Sequence, residues 1–205
     1  ASPAVYAIGG PSGTAVTFNA QGELGEVVNN PYDIAPLTSI IRNGGYVLKS
    51  AHVKIVPKKG GQTIEYDVGP TALRTYAGIP IFGLYADYLN TVEVTWTRVF
   101  VGKEETKSET YKIWTPPVYL DASWVDGRVH KTFDVEVKKK ASKEFADRLY
   151  FINNLMPPSP KGVRATWNNP VGGALQWNNY PQNAIIDTTG EVRWYLKPDR
   201  IYDPR

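Results

Sequence analysis

Short runs of strict two-residue alternation constrain this chain more than any other feature. In Ala51-His52-Val53-Lys54-Ile55 the odd positions are apolar and the even ones polar, the period of a strand with one buried face. The same period returns in Ile64, Tyr66 and Val68 after Lys58-Lys59-Gly60-Gly61, so these two runs predict an antiparallel hairpin. Val92, Val94 and Trp96 alternate with Glu93, Thr95 and Thr97. Tyr111, Ile113 and Thr115 alternate with Lys112 and Trp114, and Phe133, Val135 and Val137 with Asp134, Glu136 and Lys138. Each run is too short for a helix. The only helical signal is one turn over Ser142–Ala146.

The segments between these runs are rich in breakers. Asn43-Gly44-Gly45 reads as a hairpin-type turn and Gly102–Ser108 as a loop. Gly78-Ile79-Pro80-Ile81-Phe82-Gly83-Leu84-Tyr85 is apolar but holds an internal proline, so it reads as an irregular buried connection. Leu149–Ile152 is a further short strand, and Ile185–Leu196 is strand, tight turn, strand. With 13 Tyr, 6 Trp and 6 Phe among 205 residues, about seven strands at hairpin spacing predict an all-β chain with an immunoglobulin-like β-sandwich. The expected divisions are an extended arm over 1–25, the sandwich over 26–153, a linker over 154–183 and a separate unit over 184–205. One hairpin is marginal alone. The last twenty residues therefore read as the start of a larger sheet repeat that has been cut off. Ala1-Ser2-Pro3-Ala4 reads as a mature terminus after cleavage or as an artificial boundary.

Composition narrows the chemistry. The formal charge is +3 and the basic residues form no stripe, which gives no reason to expect a nucleic-acid partner. Lys138-Lys139-Lys140 with Lys143 reads as a solvated turn. No apolar run reaches the roughly 20 residues of a membrane helix, so no membrane association is expected. There is no cysteine, hence no disulfide, thiolate ligand or cysteine nucleophile. The two histidines, His52 on the polar face of its strand and His130 before Lys131, read as structural. Two histidines without clustered carboxylates make no metal site. Gly44-Gly45 and Gly60-Gly61 read as turn glycines, with no phosphate loop. Trp96 and Trp194 fall on apolar strand faces, whereas Arg193 falls on the polar side of its strand and reads as a solvated charge.

Four segments, in order, carry a resemblance. They are Asn30-Pro31-Tyr32-Asp33-Ile34-Ala35-Pro36-Leu37-Thr38; Gly78–Tyr85 with Thr91-Val92-Glu93-Val94; Ala146-Asp147-Arg148-Leu149-Tyr150-Phe151; and Ile185–Leu196. Together they resemble the N-terminal part of bacterial aryl-sulfate sulfotransferases. The resemblance implies that the β-sandwich is followed by the first strands of a truncated six-bladed β-propeller. It implies a periplasmic homodimer that moves a sulfuryl group from a phenolic sulfate ester to a phenol, without a nucleotide donor, through a sulfated histidine of the propeller. No metal or organic cofactor is implied. The expected partner of the sandwich is the propeller of the same polypeptide, against which, or against another subunit, Tyr85 and Tyr88 would pack.

On this resemblance the 205 residues themselves are expected to be non-catalytic. It carries over one site residue, Tyr111, whose segment Thr110-Tyr111-Lys112-Ile113-Trp114-Thr115 resembles the place where the family offers a tyrosine to the active-site entrance. Its phenol would bond a sulfonate oxygen or stack on an aryl donor. Strand alternation, however, sets Tyr111 on the same face as Ile113, toward the core. A rival reading is a free-standing immunoglobulin-like adhesion or carbohydrate-binding module, whose aromatics would be exposed for sugar stacking.

Overall fold

The computed structural model describes residues 22–118, 135–154 and 182–197. Seven strands form two facing sheets. The smaller consists of β1 (Val27–Asn29), β2 (Ser39–Arg42) and β5 (Gly78–Ile81) in the order β1-β2-β5. The larger consists of β3 (Val47–Ile55), β4 (Ile64–Val68), β6 (Tyr88–Phe100) and β7 (Lys103–Thr115) in the order β4-β3-β6-β7. All described pairings are antiparallel. Three strands facing four, with β2–β3, β4–β5 and β5–β6 connections crossing between sheets, is an immunoglobulin-like sandwich. Its core is filled from both inner faces, by Val27, Ile41, Ile79 and Ile81 on one side and Val53, Ile55, Val92, Val94, Trp96, Tyr111 and Ile113 on the other.

The expected β3–β4 hairpin forms, with Val53 opposite Tyr66 and Ile55 opposite Ile64. Strand β3 begins earlier than its alternation suggests, because a register shift between Leu48 and Ser50 switches the buried parity from even to odd. Strands β6 and β7 meet in a two-residue turn, Val101-Gly102, with φ of +50° and +72°. The expected loop over Gly102–Ser108 is therefore strand. Residues 103–109 are all charged or hydroxyl-bearing, so no apolar period marks them. Asn43-Gly44-Gly45 is a turn, but it passes the chain between sheets and closes no hairpin.

The apolar run at Gly78 also departs from expectation. Gly78–Ile81 is a regular strand paired with β2, Pro80 lying opposite Ile40. The proline is tolerated because β5 is an edge strand, where a missing N–H breaks no second ladder. Tyr66 ties this edge to the other sheet. Its hydroxyl donates to the Pro80 carbonyl at 2.9 Å and accepts from the Phe82 N–H at 2.8 Å. A six-residue helix, α1 (Pro70–Thr75), was not legible in the sequence. It buries only Leu73, too little to leave a period, and starts with a proline at its first turn.

A third sheet follows, β8 (Leu149–Asn154), β9 (Gln182–Asp187) and β10 (Val192–Tyr195), in the order β10-β9-β8. The strand predicted at Leu149–Ile152 thus pairs with β9 and not with any strand of the sandwich. Ala184 and Tyr195 join the sandwich core from this sheet. Val135 and Val137, read as strand residues, lie in irregular chain and are 41 % and 44 % exposed. Phe133, His130, most of the 1–25 arm and most of the 154–183 linker lie outside the described residues. The turn over Ser142–Ala146 is a single 3₁₀ turn, Lys143–Phe145.

Candidate functional site

The densest polar constellation lies where the third sheet meets the sandwich, and its centre is Arg193. A register shift between Val192 and Trp194 makes Arg193 the odd residue of β10 and turns its side chain inward. It is fully buried. Its Nη1 donates to Asp187 Oδ2 at 2.7 Å and to the Gln62 carbonyl at 2.9 Å, and its Nε donates to the Gly83 carbonyl at 2.9 Å. The guanidinium carbon lies 3.8 Å from the centre of the Tyr85 ring. Three attachments, to a carboxylate of its own sheet and to two carbonyls of the sandwich, therefore converge on one side chain. Nη2 has no partner among the described residues.

The surrounding groups are arranged to hold that charge. Asp187 Oδ1 accepts from the N–H groups of Thr189 and Glu191 and from the Thr189 hydroxyl. Gln62, in the β3–β4 loop, touches the start of β8 and the β9–β10 turn. Its Nε2 donates to the Arg148 carbonyl at 3.4 Å, and its Oε1 accepts from Thr188 N and Oγ1 at 3.2 and 3.0 Å. The Tyr85 hydroxyl donates to the Gln62 carbonyl at 3.1 Å. Burial pushes the Tyr85 phenol above its ordinary range, and Arg193 pulls it back in part. Lys58 stands 4.8 and 4.9 Å from the Tyr85 and Tyr88 ring centres and 3.5 Å from the Glu191 carboxylate.

Two glycines make room. A Cβ on Gly61 would sit 2.4 Å from the Tyr85 hydroxyl oxygen. Gly83, at φ +89°, would drive one into Ile64 Cδ1 at 2.6 Å. Asn90 fixes the Tyr85 backbone from the other side, accepting from its N–H at 2.8 Å and donating to its carbonyl at 3.1 Å.

The one site residue that the resemblance carried over, Tyr111, is not among the groups of this joint. Tyr111 is 2 % exposed and faces the core beside Ile113, as its alternation required. Its ring end packs against Gly22, and burial together with Glu109 pushes its phenol above the ordinary range. His52 is exposed on the outer face of β3, its Nδ1 2.8 Å from Asp67 Oδ1 directly across the ladder. On its other side His52 faces Thr95 of β6, whose hydroxyl is 2.8 Å from that of Ser108. The described residues hold no cluster of three or more His, Cys, Asp or Glu that could seat a metal ion. No described helix is long and apolar enough to cross a membrane. Arg193, read as solvated from its place in the alternation, is the opposite. The signal that could have found it is the spacing Asp187-Thr188-Thr189-Gly190, a turn carboxylate six residues before an arginine in an otherwise apolar strand.

Two family models match this chain in succession. The arylsulfotransferase immunoglobulin-like domain matches residues 26–116, and the arylsulfotransferase (ASST) model matches residues 134–205. The chain belongs to the arylsulfotransferase family. The arylsulfotransferase joint described above brings together residues from both matched stretches, Gln62 and Tyr85 from the first and Asp187 and Arg193 from the second. Similar proteins include the arylsulfate sulfotransferase AssT of Escherichia coli O6:H1, 33 % identical over 199 residues, covering 90 % of this chain and 32 % of that protein. The arylsulfate sulfotransferase AssT of Lelliottia amnigena is 32 % identical over 195 residues, covering 89 % of this chain and 31 % of its own length. This chain therefore spans about a third of the length of the relatives it matches.

Proposed function

We propose that the whole protein transfers a sulfuryl group from a phenolic sulfate ester to a phenol, and that the immunoglobulin-like domain is its non-catalytic scaffold. A histidine nitrogen attacks sulfur, the S–O bond to the aryl group breaks, and the phenolate leaves and takes up a proton. The acceptor phenol then gives up its proton as its oxygen displaces the histidine. The nucleophilic histidine belongs to polypeptide outside these 205 residues. His52, paired with Asp67 on an open sheet face, has neither the enclosure nor the oxyanion donors that the step needs. We extend the proposal to a periplasmic homodimer, as the resemblance of the sequence implies.

The observation that carries the scaffold reading is the buried Arg193–Asp187 pair, bonded to the Gln62 and Gly83 carbonyls of the sandwich. A fully desolvated charge shared between two sheets sets their relative orientation, because sliding either sheet would strand it. The free-standing carbohydrate-binding reading has no such support. Trp96, Tyr85, Tyr111 and Tyr195 fill the core, which leaves sugar stacking to exposed rings such as Tyr32, Tyr150 and Phe151.

The test is a paired assay with 4-nitrophenyl sulfate as donor and phenol as acceptor. The full-length protein should release nitrophenolate in an acceptor-dependent manner and carry a transient sulfuryl adduct on a histidine, mapped by mass spectrometry. The 205-residue chain alone should do neither. Transfer by the 205 residues, or an adduct on His52, would overturn the scaffold reading.

A further inference from the structure

Asparagine followed by glycine occurs once in this chain, at Asn43-Gly44. The step lies in the turn Asn43–Tyr46 that carries the chain from β2 to β3, closed by the Tyr46 N–H donating to the Asn43 carbonyl at 3.0 Å. Gly44 and Gly45 both take the left-handed region, at φ +59° and +86°. The Asn43 side chain curls over this turn, and its Oδ1 accepts from the Gly45 N–H at 3.0 Å. The N–H between them, that of Gly44, makes no hydrogen bond among the described residues. Asn43 is half-buried, and both glycines are exposed.

An amide that closes on the next residue's nitrogen needs this arrangement. Holding Oδ1 against the second N–H brings Cγ alongside the first. The Gly45 N–H already donates to the oxygen on which negative charge develops. Gly44 sets no Cβ in the way and gives up no hydrogen bond when its nitrogen attacks. A cavity of about 280 Å³, lined in part by Asn43 and Arg74, leaves room for water and for a departing ammonia. The other described asparagines of the sandwich lack these features. Asn29 is followed by Asn30, whose N–H donates to the Thr38 carbonyl at 2.9 Å. Asn30 is followed by Pro31, which has no N–H. Asn90 is buried, its Nδ2 bonded to the Tyr85 and Tyr88 carbonyls and the Thr115 hydroxyl.

We infer that Asn43 is a site of spontaneous covalent modification, converted through a ring closed by Gly44 into aspartyl and isoaspartyl residues. The Gly44 nitrogen gives its proton to solvent and attacks Asn43 Cγ. The new C–N bond forms, the bond from Cγ to Nδ2 breaks, and Nδ2 takes up a proton and leaves as ammonia. Water then opens the succinimide at either carbonyl and returns a proton to the Gly44 nitrogen. One water is consumed and one ammonia released, and nothing is oxidised or reduced. The aspartyl product places its carboxylate beside the cavity it shares with Arg74, which has no ion-pair partner among the described residues. The isoaspartyl product inserts a methylene into the main chain where there is no slack. A Cβ on Gly44 would already meet the Leu24 carbonyl oxygen at 2.3 Å, and one on Gly25 the Arg42 carbonyl oxygen at 2.3 Å. That product therefore loosens the crossing between the two sheets.

The test ages the full-length protein in mildly alkaline buffer and maps deamidation by peptide mass spectrometry. Asn43 should react at least about tenfold faster than Asn29, Asn30 or Asn90. Hydroxylamine, which cleaves a succinimide, should cut the native chain between Asn43 and Gly44. Asn43→Gln should abolish that cut with its circular dichroism unchanged; should this variant fail to fold, the wild-type rates and cleavage still decide. Equal rates at the four asparagines, or no cleavage at this bond, would overturn the inference. So would a native rate at Asn43 more than about tenfold below that of the same protein unfolded in urea, because the turn would then protect the step. The isoaspartyl fraction should melt below the fresh protein, and an unchanged thermal midpoint would overturn the claim that it loosens the crossing.

Discussion

At Arg193 the chain holds a guanidinium out of water against one carboxylate, Asp187, with both side chains at 0 % exposure. Breaking such a pair from one side is costly, because the remaining charge stays buried without its partner. Arg193→Met should therefore lower stability by about 3–5 kcal/mol in chemical denaturation, and the double variant Arg193→Met/Asp187→Asn should recover part of that loss. A second residue-scale effect concerns acid. The hydrogen bond from Arg98 is the chief cause that holds the Glu105 carboxyl below its ordinary range, with Lys107 adding to it. A depressed folded-state pKa means that this contribution is present above the unfolded carboxylate value and is lost as pH falls through the folded one. Wild type should lose stability between those two values, and Glu105→Gln should flatten that part of the acid limb in a pH series of thermal midpoints.

Single-residue irregularities decide the geometry of whole elements. The bulge in β10 aims Arg193 into the joint, the bulge in β3 switches its buried parity, and the two left-handed residues at Val101-Gly102 let β6 and β7 run as one long hairpin. Of these, the turn gives the clearest prediction. Val101→Asn relieves a left-handed β-branched residue and should raise the fold's stability by about 1 kcal/mol, read as a higher thermal midpoint. Edge position likewise explains β5: the proline that excluded it as a central strand is harmless where only one neighbour pairs.

Across the whole molecule the two ends of the sandwich differ, one bonded to the third sheet and the other exposing Val47, Phe100 and Val101. Gln62 is the widest link at the bonded end, since its side chain alone reaches Arg148 and Thr188. Gln62→Ala keeps its backbone carbonyl for Arg193 and Tyr85 but removes these bonds. It should leave the sandwich intact while loosening the third sheet. Hydrogen exchange should quicken at Ala184–Ile186 and stay unchanged at Val92–Trp96. Equal acceleration in both places would mean that the two units open together and that Gln62 is not the link.

Alternation alone placed β3, β4, β6, the end of β7 and the β9–β10 hairpin, because each has one face in the core and one in water, and burial writes that difference into every second residue. The same rule set Tyr111 inside, against the site role that its segment's resemblance implied. What alternation could not carry is whatever breaks its period or leaves it blank. The charged half of β7 has no apolar face to read, α1 buries a single residue, and Pro80 is decided by which strand lies beside it. Arg193 is the sharpest case. In sequence it is a charge on the polar side of a strand; in the fold a bulge reverses its direction, and a carboxylate six residues earlier and two carbonyls more than a hundred residues earlier make its burial tolerable. Local pattern reports which face a residue prefers, and only the assembled chain decides whether a buried charge finds its partners.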